Sequence, residues 1–417
     1  MSTKTVSRKT YVGPRALFDP YYLPPNLIGL KKEQNSIQSI LKDAIEDHYP
    51  IVLSLYGLQG IGKTTLTRKA ISTLEKSKTK LNHSIAMHYV NCEDKDSSQI
   101  VFSLINELSQ SLNYNLEPNS ILNATPGNQI NLLTHLISKS TKRVNSNCAP
   151  KHEKSLLFFL DSIEYIQPQI INKLMDVCIS QSCFMVSSFN VLKSSPYLLD
   201  FKKPDFQVQL NTYSPGCLEK ISKSRCEAGF KHPVDNTMIR YLTDLVKEFD
   251  YCVPESCLRV LRELYPLING NSIVDPGEIQ DACRCQFKKY SIDEISIAEY
   301  ISETDIVDRL ALDEISSFFR SQTRFYIAYS ELVDLYKVAC ESLENAFKQQ
   351  NFSKFLRGLH RVGLLQPSNF THITKTHPQT QLSGLPFAEM NKNYFLTISP
   401  QMLNEILDVA FGLITFN

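Results

Sequence analysis

The sequence lacks the features that define several broad classes of protein. Its longest apolar run, from Ile406 to Phe416, is interrupted by Asp408 and falls well short of the ~20 residues that cross a bilayer. No secretory signal is recognisable at its start, and neither an internal repeat nor a low-complexity tract is present. These absences predict a soluble protein that does not work in a membrane.

Cysteines in metal-binding or disulfide patterns are also missing. The 11 cysteines are scattered through apolar stretches, which predicts reduced, buried thiols. A structural zinc site usually needs ligand pairs roughly two to four residues apart, with a matching pair downstream. No such set is found among the closest cysteines, which are Cys178 and Cys183, Cys252 and Cys257, and Cys283 and Cys285. The sequence therefore predicts no zinc site.

A net charge of +1 gives no overall attraction to nucleic acid, so any such contact must come from a local excess of positive charge. Between Glu344 and Glu389 there is no acidic residue. That stretch contains Lys348, Lys354, Arg357, Arg361 and Lys375. The residues before Asp19 are also free of acids and carry Lys4, Arg8, Lys9 and Arg15. This N-terminal segment is either part of a nucleic-acid contact or a disordered tail.

The first half of the chain alternates between strand and helix patterns. A length of 417 residues favours two or three domains. Short apolar, β-rich runs predict strands at Ile51–Tyr56, Ser84–Val90, Leu156–Leu160 and Phe184–Ser188. Stretches of helical periodicity lie between them. Strands that alternate with helices in this way predict a parallel α/β sheet.

The second half of the chain follows a different pattern. After about Tyr213 the strand signal stops and helices dominate. The chain then predicts helices at Tyr329–Leu343 and Phe352–Val362, a polar loop containing prolines and a glycine, and a strand at Tyr394–Ile398. Two helices followed by a long loop and a strand are the order of a winged-helix domain.

The most specific motif lies between the first predicted strand and the helix that follows it. The pattern GxxxxGKT, followed by a second threonine, is formed by Gly57, Leu58, Gln59, Gly60, Ile61, Gly62, Lys63, Thr64 and Thr65. Glycines let backbone amides surround a phosphate, and the helix N-terminus adds positive potential. Lys63 would contact the outer phosphates and Thr64 would ligate Mg²⁺. The motif predicts binding of ATP or ADP with Mg²⁺.

Two later strands end in side chains that suit the same site. Leu156–Asp161 is an apolar run ending in an acid, as expected of the group that holds Mg²⁺ and its water shell. Many such ATPases place a water-activating glutamate at the next position, which is Ser162 here. A serine hydroxyl is a poor base, and Glu164 is a weak substitute by position. Asn190 follows the next strand and is predicted to contact the γ-phosphate or to orient water.

The second winged-helix helix is predicted to face DNA with its basic side. Phe352, Phe355, Leu356 and Leu359 recur at helical spacing and should point inward. The residues predicted to reach duplex DNA are Lys354, Arg357, His360 and Arg361 on the helix and Lys375 in the loop. Each of these taken alone is more typical of a solvated surface charge, and it is the absence of acids across the whole segment that favours DNA binding.

Together these features resemble the Orc1/Cdc6 replication initiators, a branch of the AAA+ ATPases. The resemblance is carried in order by Tyr22–Gly29 before Lys31–Gln34, Tyr89–Cys92, Leu160–Asp161, Asn190, Tyr213–Ser214 with Leu218, Ile221, Arg225 and Phe230, Leu332–Cys340 and Tyr394–Ile398. It implies an α/β fold with an AAA+ P-loop parallel sheet, a helical lid and a C-terminal winged helix. Tyr213 and Arg225 would then contribute to the nucleotide site.

The resemblance also implies a domain plan and a set of partners. Residues 1–25 would form an N-terminal arm, 26–213 the AAA+ core, 214–300 the lid and 301–417 the winged helix. Expected partners are the duplex DNA of a replication origin, the replicative helicase and other AAA+ initiator subunits. The protein would lie in the cytoplasm with the nucleoid if it is archaeal, and in the nucleus if it is eukaryotic. The region 113–154 is either a DNA-contacting insertion or a long polar loop.

Departures from the family pattern predict ATP hydrolysis that is slow or absent. Ser162 stands where the family has glutamate, and Glu255 falls at the position of the sensor 2 arginine, where a carboxylate would repel the γ-phosphate. The family pattern also places an arginine finger, which acts on the nucleotide of a neighbouring subunit, between Leu199 and Asp205. No arginine lies there, and Lys202 or Lys203 would be a weaker replacement.

Two alternatives remain open. The run from Gly57 to Leu66 also resembles the STAND-type signalling ATPases, and Pro254 falls near a proline of their motif. That interpretation predicts a nucleotide-gated switch without DNA. The other alternative is a non-hydrolysing structural subunit of an origin recognition complex, in which nucleotide stabilises the interface between neighbouring AAA+ modules.

Overall fold

The computed structural model describes residues 11–76, 83–142, 153–193, 201–270, 274–287, 294–322, 324–370 and 392–412. The chain forms two compact units. We call residues 21–212 the core unit, and residues 213–417 with the N-terminal segment up to Pro20 the C-terminal unit. In the part of the chain just defined, no helix has both the length and the hydropathy of a membrane span.

The first helix, α1 (Arg15–Phe18), belongs to the C-terminal unit. The elements of the core unit follow it, and short 3₁₀ turns at Ile163–Tyr165 and Val191–Lys193 come after the third and fourth strands. In chain order these elements are α2 (Lys31–Glu46), β1 (Val52–Gly57), α3 (Lys63–Lys76), β2 (His83–Asn91), α4 (Ser97–Ser111), α5 (Pro118–Leu122), α6 (Pro126–Lys142), β3 (Glu153–Asp161), α7 (Pro168–Ser180), β4 (Phe184–Asn190) and β5 (Phe206–Gln209).

The five strands of the core unit form one parallel sheet in the order β2-β3-β4-β1-β5. Every predicted strand is present, and the parallel α/β fold is confirmed. In the register of the sheet, Gly57 lies opposite Asn190, and Asn91 lies opposite Asp161. Because the strands are parallel, their carboxyl ends lie at one edge of the sheet, where a ligand is expected to bind.

The region 113–154, left open by the sequence, contains two helices. Helix α6 contributes Ile130, Leu133, Leu136 and Ile137 to the apolar core that it forms with α4 and the sheet. These residues recur at helical spacing, so the periodic signal was present in the sequence. Gln129 is fully buried and bonds to Ser98 and to the carbonyl oxygen of Ile121, which joins α6 to α4 and α5. The described part of this region is therefore ordered helix and not a polar loop.

The C-terminal unit is mainly helical and ends in a three-stranded antiparallel sheet of order β6-β8-β7. Its elements after α1 are α8 (Pro215–Gly229), α9 (Asn236–Phe249), α10 (Pro254–Glu263), α11 (Tyr265–Gly270), α12 (Pro276–Gln286), α13 (Glu294–Glu303), α14 (Ile306–Gln322), β6 (Ile327–Ala328), α15 (Tyr329–Glu341), α16 (Gln349–Arg361), β7 (Leu365–Pro367), β8 (Asn393–Leu396) and α17 (Pro400–Ala410). The winged helix is confirmed, with β6 and β7 as strands that the sequence did not predict.

Two apolar cores organise this unit. One lies among the lid helices α8 to α12 and includes Phe395 of β8. The other lies within the winged helix and includes Phe352, Phe355 and Leu359 of α16. Helix α13 crosses the predicted boundary at residue 300, and its Ile297 belongs to the winged-helix core.

The N-terminal segment is packed into the lid. The Leu17 side chain is 1% exposed and lies in the lid core. Arg262 donates to the carbonyl oxygen of Leu17 at 2.6 Å, and Arg225 donates to that of Ala16 at 3.0 Å. A Cβ added at Gly229 would lie 2.9 Å from Cγ of Leu17, so this position needs glycine for the segment to approach. The described part of the segment is ordered, and residues before Tyr11 lie outside the description.

A fully buried carboxylate joins the lid to the winged helix. Asp244 of α9 is 0% exposed. Its Oδ2 accepts hydrogen bonds from the hydroxyls of Tyr326 at 2.9 Å and Ser368 at 2.6 Å. Its Oδ1 accepts from the backbone and side-chain nitrogens of Asn369 at 3.1 and 2.8 Å. A buried charge is tolerated only when it is hydrogen-bonded in this way, so the lid and the winged helix are held at a defined position.

Candidate functional site

The loop between β1 and α3 has the backbone that a phosphate-binding loop requires. Gly60 and Gly62 have φ of +76° and +102°, in the left-handed region that favours glycine. A Cβ at Gly57 would lie 2.8 Å from the carbonyl oxygen of Leu210, so only glycine fits there. Ile61 is fully buried and fixes the loop against the core. The structure thus explains why glycine is needed at three positions of the motif, which are Gly57, Gly60 and Gly62.

Lys63 begins α3 and its ammonium group lies inside the loop. Its Nζ donates to the carbonyl oxygens of Gly57 at 3.0 Å and Leu58 at 2.9 Å. Burial lowers the pKa of Lys63, while the nearby carboxylates of Asp161 and Glu164 act in the opposite direction. The group is therefore a partly desolvated positive charge, which is suited to a phosphate anion.

Asp161 ends β3 and is the centre of a set of hydroxyl donors. The carboxylate is buried, with 6% exposure. Its Oδ2 accepts from Thr64 Oγ1 at 2.5 Å and from the Tyr89 hydroxyl at 3.2 Å, and its Oδ1 accepts from Ser188 Oγ. The structure therefore brings together Thr64 and Asp161, the two residues predicted to bind Mg²⁺. Hydroxyl and carboxylate oxygens are the donors that this ion prefers.

Ser162 and Glu164, the two residues considered from the sequence as the water-activating base, both lie close to Asp161. Ser162 has φ of +62°, and its backbone nitrogen donates to Ser188 Oγ at 3.3 Å. Glu164 lies in the following 3₁₀ turn, close enough for its charge to act on Lys63. Glu164 is therefore a carboxylate near Lys63 that is displaced along the chain from the position that the family pattern predicts.

Asn190 lies at the end of β4, where the sequence placed it, beside the first residue of the phosphate loop. It is buried, and its Cα lies opposite that of Gly57 in the sheet. Its Oδ1 accepts from the backbone nitrogen of Leu192 at 3.1 Å, as in an Asx turn. Its proposed contact with the γ-phosphate stays a prediction.

Sequence reasoning missed an aromatic and cationic stack next to this edge of the sheet. The guanidinium carbon of Arg68 lies 4.4 Å from the ring centroid of Tyr21 and 5.0 Å from that of Tyr89. Tyr89 also packs against Phe159, with centroids 5.3 Å apart. The available signal was Arg68, one turn after Thr64 on α3, because residues four apart share a helix face.

The other predicted residues of the nucleotide site belong to the C-terminal unit or are engaged elsewhere. Tyr213 and Arg225 lie in the C-terminal unit, where Arg225 bonds to Ala16. Glu255 is paired with Arg262 on the same helix at 2.7 Å. Lys202, the weaker finger candidate, pairs with Asp176 at 2.5 Å. Their predicted roles toward nucleotide remain predictions.

Helix α16 has a buried apolar side and an exposed basic side, and it departs from the prediction at Leu356. Phe352, Phe355 and Leu359 are buried, whereas Leu356 is only half-buried. The four predicted DNA contacts on this helix are exposed: Lys354, Arg357, His360 and Arg361. Lys375 lies outside the described residues. On another side of the helix, Tyr300 of α13 packs against Gly358. A Cβ added at Gly358 would lie 2.7 Å from Cζ of Tyr300.

Comparison with known proteins gives matches in sequence and in fold. No family model matches the chain. The chain is 36% identical over 88 residues to ORC1-type DNA replication protein 11 of Haloarcula marismortui, and 29% identical over 94 residues to ORC1-type DNA replication protein 1 of Methanosarcina acetivorans. These matches span 21% and 22% of this chain, and 21% and 23% of the relatives. The matched segment is about a fifth of their length.

Solved structures extend the likeness over nearly the whole chain. Cdc6p from Pyrobaculum aerophilum matches with a TM-score of 0.67 and 14% identity, covering 95% of this chain and 98% of the other. The chain resembles the Orc1/Cdc6-type proteins. The Aeropyrum pernix ORC1 protein in complex with DNA matches with a TM-score of 0.51 and 16% identity, over 97% and 98% of the two chains. At these identities the Orc1/Cdc6 likeness establishes the AAA+ and winged-helix fold.

Proposed function

We propose that this chain is a divergent replication-initiation protein of the Orc1/Cdc6 type. It binds ATP or ADP with Mg²⁺ in the core unit and the duplex DNA of an origin with the C-terminal unit. The observation that carries the proposal is the Thr64–Asp161 pair behind an intact phosphate loop, in a chain whose fold follows that of Cdc6p over nearly its full length.

The donors at the edge of the sheet fit a nucleotide with Mg²⁺. Lys63 supplies the positive charge for the phosphates, and Thr64 and Asp161 would hold the ion. Bound there, Mg²⁺ would neutralise charge on the outer phosphates. Aeropyrum pernix ORC2, a structural neighbour at a TM-score of 0.50, was solved as ADPNP–ADP complexes. Nucleotide binding is therefore the expected property of the core unit.

Hydrolysis is expected to be slow or absent. The Ser162 hydroxyl is a poor general base at neutral pH, and Glu164 is displaced along the chain. In the lid, Glu255 carries a negative charge and is already paired with Arg262. We therefore propose that nucleotide serves as a long-lived structural element. This role also suits a non-hydrolysing subunit that assembles with other AAA+ initiators and helps to recruit the replicative helicase.

The DNA-binding part of the proposal rests on α16. Its exposed side chains include Lys354, Arg357, His360 and Arg361, and no acidic residue occurs in the whole segment from 345 to 388. Arg357 donates to the carbonyl oxygen of Ser353 at 3.0 Å, which leaves its guanidinium exposed at the surface. Arginines on an exposed helix face can contact phosphates or guanine edges.

Fluorescence anisotropy with duplex DNA at two stated salt concentrations tests the proposal, with ADP and Mg²⁺ present. The variant is Arg357→Ala with Arg361→Ala. A matched control is Lys220→Ala with Lys223→Ala on α8, which removes the same charge from two exposed positions. We expect the first pair to weaken binding about tenfold and to reduce the salt slope by about two, because two phosphate contacts are lost. The control pair should leave the slope unchanged.

Two results would contradict this proposal. Absence of duplex binding at low salt, with either nucleotide, would remove the DNA role and favour the signalling-switch interpretation. Equal losses in both double variants would show that overall charge, and not α16, determines binding. Analysis of the purified protein for retained nucleotide, and for its phosphorylation state, tests the nucleotide role independently.

A further inference from the structure

The Tyr89 side chain connects two strands at the proposed Mg²⁺ site. It lies on β2, beside β3, and its hydroxyl donates to Oδ2 of Asp161 at 3.2 Å. The same oxygen accepts from Thr64, while Oδ1 accepts from Ser188. Residues from β2, α3 and β4 therefore fix both carboxylate oxygens. Without Tyr89, the only donor to Oδ2 in the described structure would be Thr64, itself a proposed ligand of the ion.

The Tyr89 ring is held so that its hydroxyl cannot easily turn away. One side packs against Phe159, and the guanidinium of Arg68 lies over the ring at 5.0 Å. The Tyr21 ring approaches edge-on, with centroids 6.3 Å apart and planes at 87°. Because Arg68 is on the helix that begins at Lys63, the stack connects the phosphate-loop helix to β2. Cation–π contacts of this kind contribute to a fixed geometry when they are partly desolvated.

The chemistry of the hydroxyl suits positioning rather than direct ligation. The Tyr89 hydroxyl lies 3.2 Å from Oδ2 of Asp161, a carboxylate oxygen that can only accept. The phenol is therefore the donor of this hydrogen bond. A donor that fixes one oxygen of a ligating carboxylate controls which lone pairs are directed toward a cation.

We infer that Tyr89 is a positioning residue for Mg²⁺ binding, acting through Oδ2 of Asp161. This inference rests on the proposed nucleotide function. It goes beyond that function by assigning part of the divalent-ion affinity to β2, a strand outside the phosphate-loop motif. A purely structural Tyr89 would affect folding or nucleotide binding equally with and without the ion.

The test compares Tyr89→Phe with Tyr56→Phe. Tyr56 lies on β1 of the same sheet, and its hydroxyl bonds to Gln209 at 3.4 Å, so the control removes an identical group away from Asp161. Binding of a fluorescent ADP is titrated in excess Mg²⁺ and in excess EDTA. We expect Tyr89→Phe to bind ADP in EDTA with the affinity of the wild type. The factor by which Mg²⁺ increases the ADP affinity should be about tenfold smaller in Tyr89→Phe than in the wild type. Tyr56→Phe should match wild type in both conditions.

The outcomes separate this inference from the proposed function. If wild type binds ADP more tightly with Mg²⁺ and Tyr89→Phe keeps the full effect, the inference is wrong and the proposed function stands. An equal loss in Mg²⁺ and in EDTA would also overturn it, because the residue would then act on packing alone. If wild type binds no nucleotide in either buffer, the proposed function itself fails.

A second variant covers the case in which Tyr89→Phe does not fold. Arg68→Met removes the cation above the ring and keeps the Tyr89 hydroxyl. It should lower only the Mg²⁺-dependent part of the affinity, about two- to threefold, since the donor is loosened and not removed. Full retention of the Mg²⁺ effect in this variant would contradict the inference.

Discussion

The phosphate-loop edge of the core sheet, which carries Lys63 and Thr64, and the basic helix α16 of the C-terminal unit differ in which residues position their functional groups. At the first, Lys63 and Thr64 follow directly on glycines whose backbone angles form the loop. At the second, the charged side chains need only be exposed, and the position of the helix that carries them depends on residues far away in sequence. Asp244 fixes the base of the wing, and Tyr300 packs on α16.

This difference predicts different responses to mutation. A local site fails when one of its groups is removed, and the surrounding fold remains. A charged surface whose helix is positioned by residues distant in sequence loses function when those residues are changed, even though no charge on the surface is altered. The following substitutions test this comparison, in order of decreasing effect.

Asp244→Ala should produce the largest effect, and it should be on stability. The change removes the acceptor of the buried Tyr326 hydroxyl, of the half-buried Ser368 hydroxyl and of the exposed Asn369. An unsatisfied buried donor costs about 1–3 kcal/mol and each other lost hydrogen bond about 0.5–1.5 kcal/mol, and entry of water offsets part of this, so we expect a loss of about 3 kcal/mol. Hydrogen exchange of amides in α9 and β8 measures it, with amides of β1 in the core unit as the internal reference.

The control for Asp244 is Asp281→Ala on α12, which removes an exposed carboxylate from the same lid. Its effect should stay within about 0.5 kcal/mol, as for most surface substitutions. If protection of β8 were the same in Asp244→Ala and in wild type, the carboxylate would not be what joins the lid to the winged helix.

Lys63→Ala should have the next largest effect, on binding and not on stability. In the described structure its ammonium group bonds to the carbonyl oxygens of Gly57 and Leu58, so the hydrogen bonds that the change removes lie within the loop. Loss of a charge-assisted contact with phosphate costs about 1.5–3 kcal/mol, so nucleotide affinity should fall about 100-fold. Lys76→Ala, an exposed change at the end of the same helix, is the control for calorimetric titration with ADP. Equal affinities in the two variants would contradict a phosphate role for Lys63.

Much of the nucleotide edge could be predicted from the sequence because its signals are local. The glycine pattern, the acid after an apolar strand and the apolar face of α16 each lie within one short segment. The roles of Tyr89 and Ser188 could not be predicted. They reach Asp161 only because β2 and β4 lie on either side of β3, and strand order is not written in local periodicity. The packing of Leu17 against Gly229 likewise joins segments that are distant along the chain.

Gly358→Ala should give the smallest effect, and its sign decides between two opposing causes. In an isolated helix, alanine in place of glycine stabilises by about 1 kcal/mol. On α16 the added Cβ would lie 2.7 Å from Cζ of Tyr300, and overpacking of this kind costs about 1–3 kcal/mol. Tyr300 is half-buried, and burial raises its pKa to about 12, so the ring is not a freely moving surface group. We therefore expect a net loss of about 1 kcal/mol.

The background variant Tyr300→Ala turns this small effect into a decisive one. With the ring removed, the clash is absent and only the helix preference remains, so Gly358→Ala should then stabilise by about 1 kcal/mol. Thermal unfolding of the four proteins in this double-mutant cycle measures both signs. Stabilisation in both backgrounds would mean that α13 does not hold α16 through this contact. A reversal of sign would show that Tyr300, a residue outside the charged face, packs directly on the helix that carries that face, and this support from a distant segment is what distinguishes the surface from the phosphate loop.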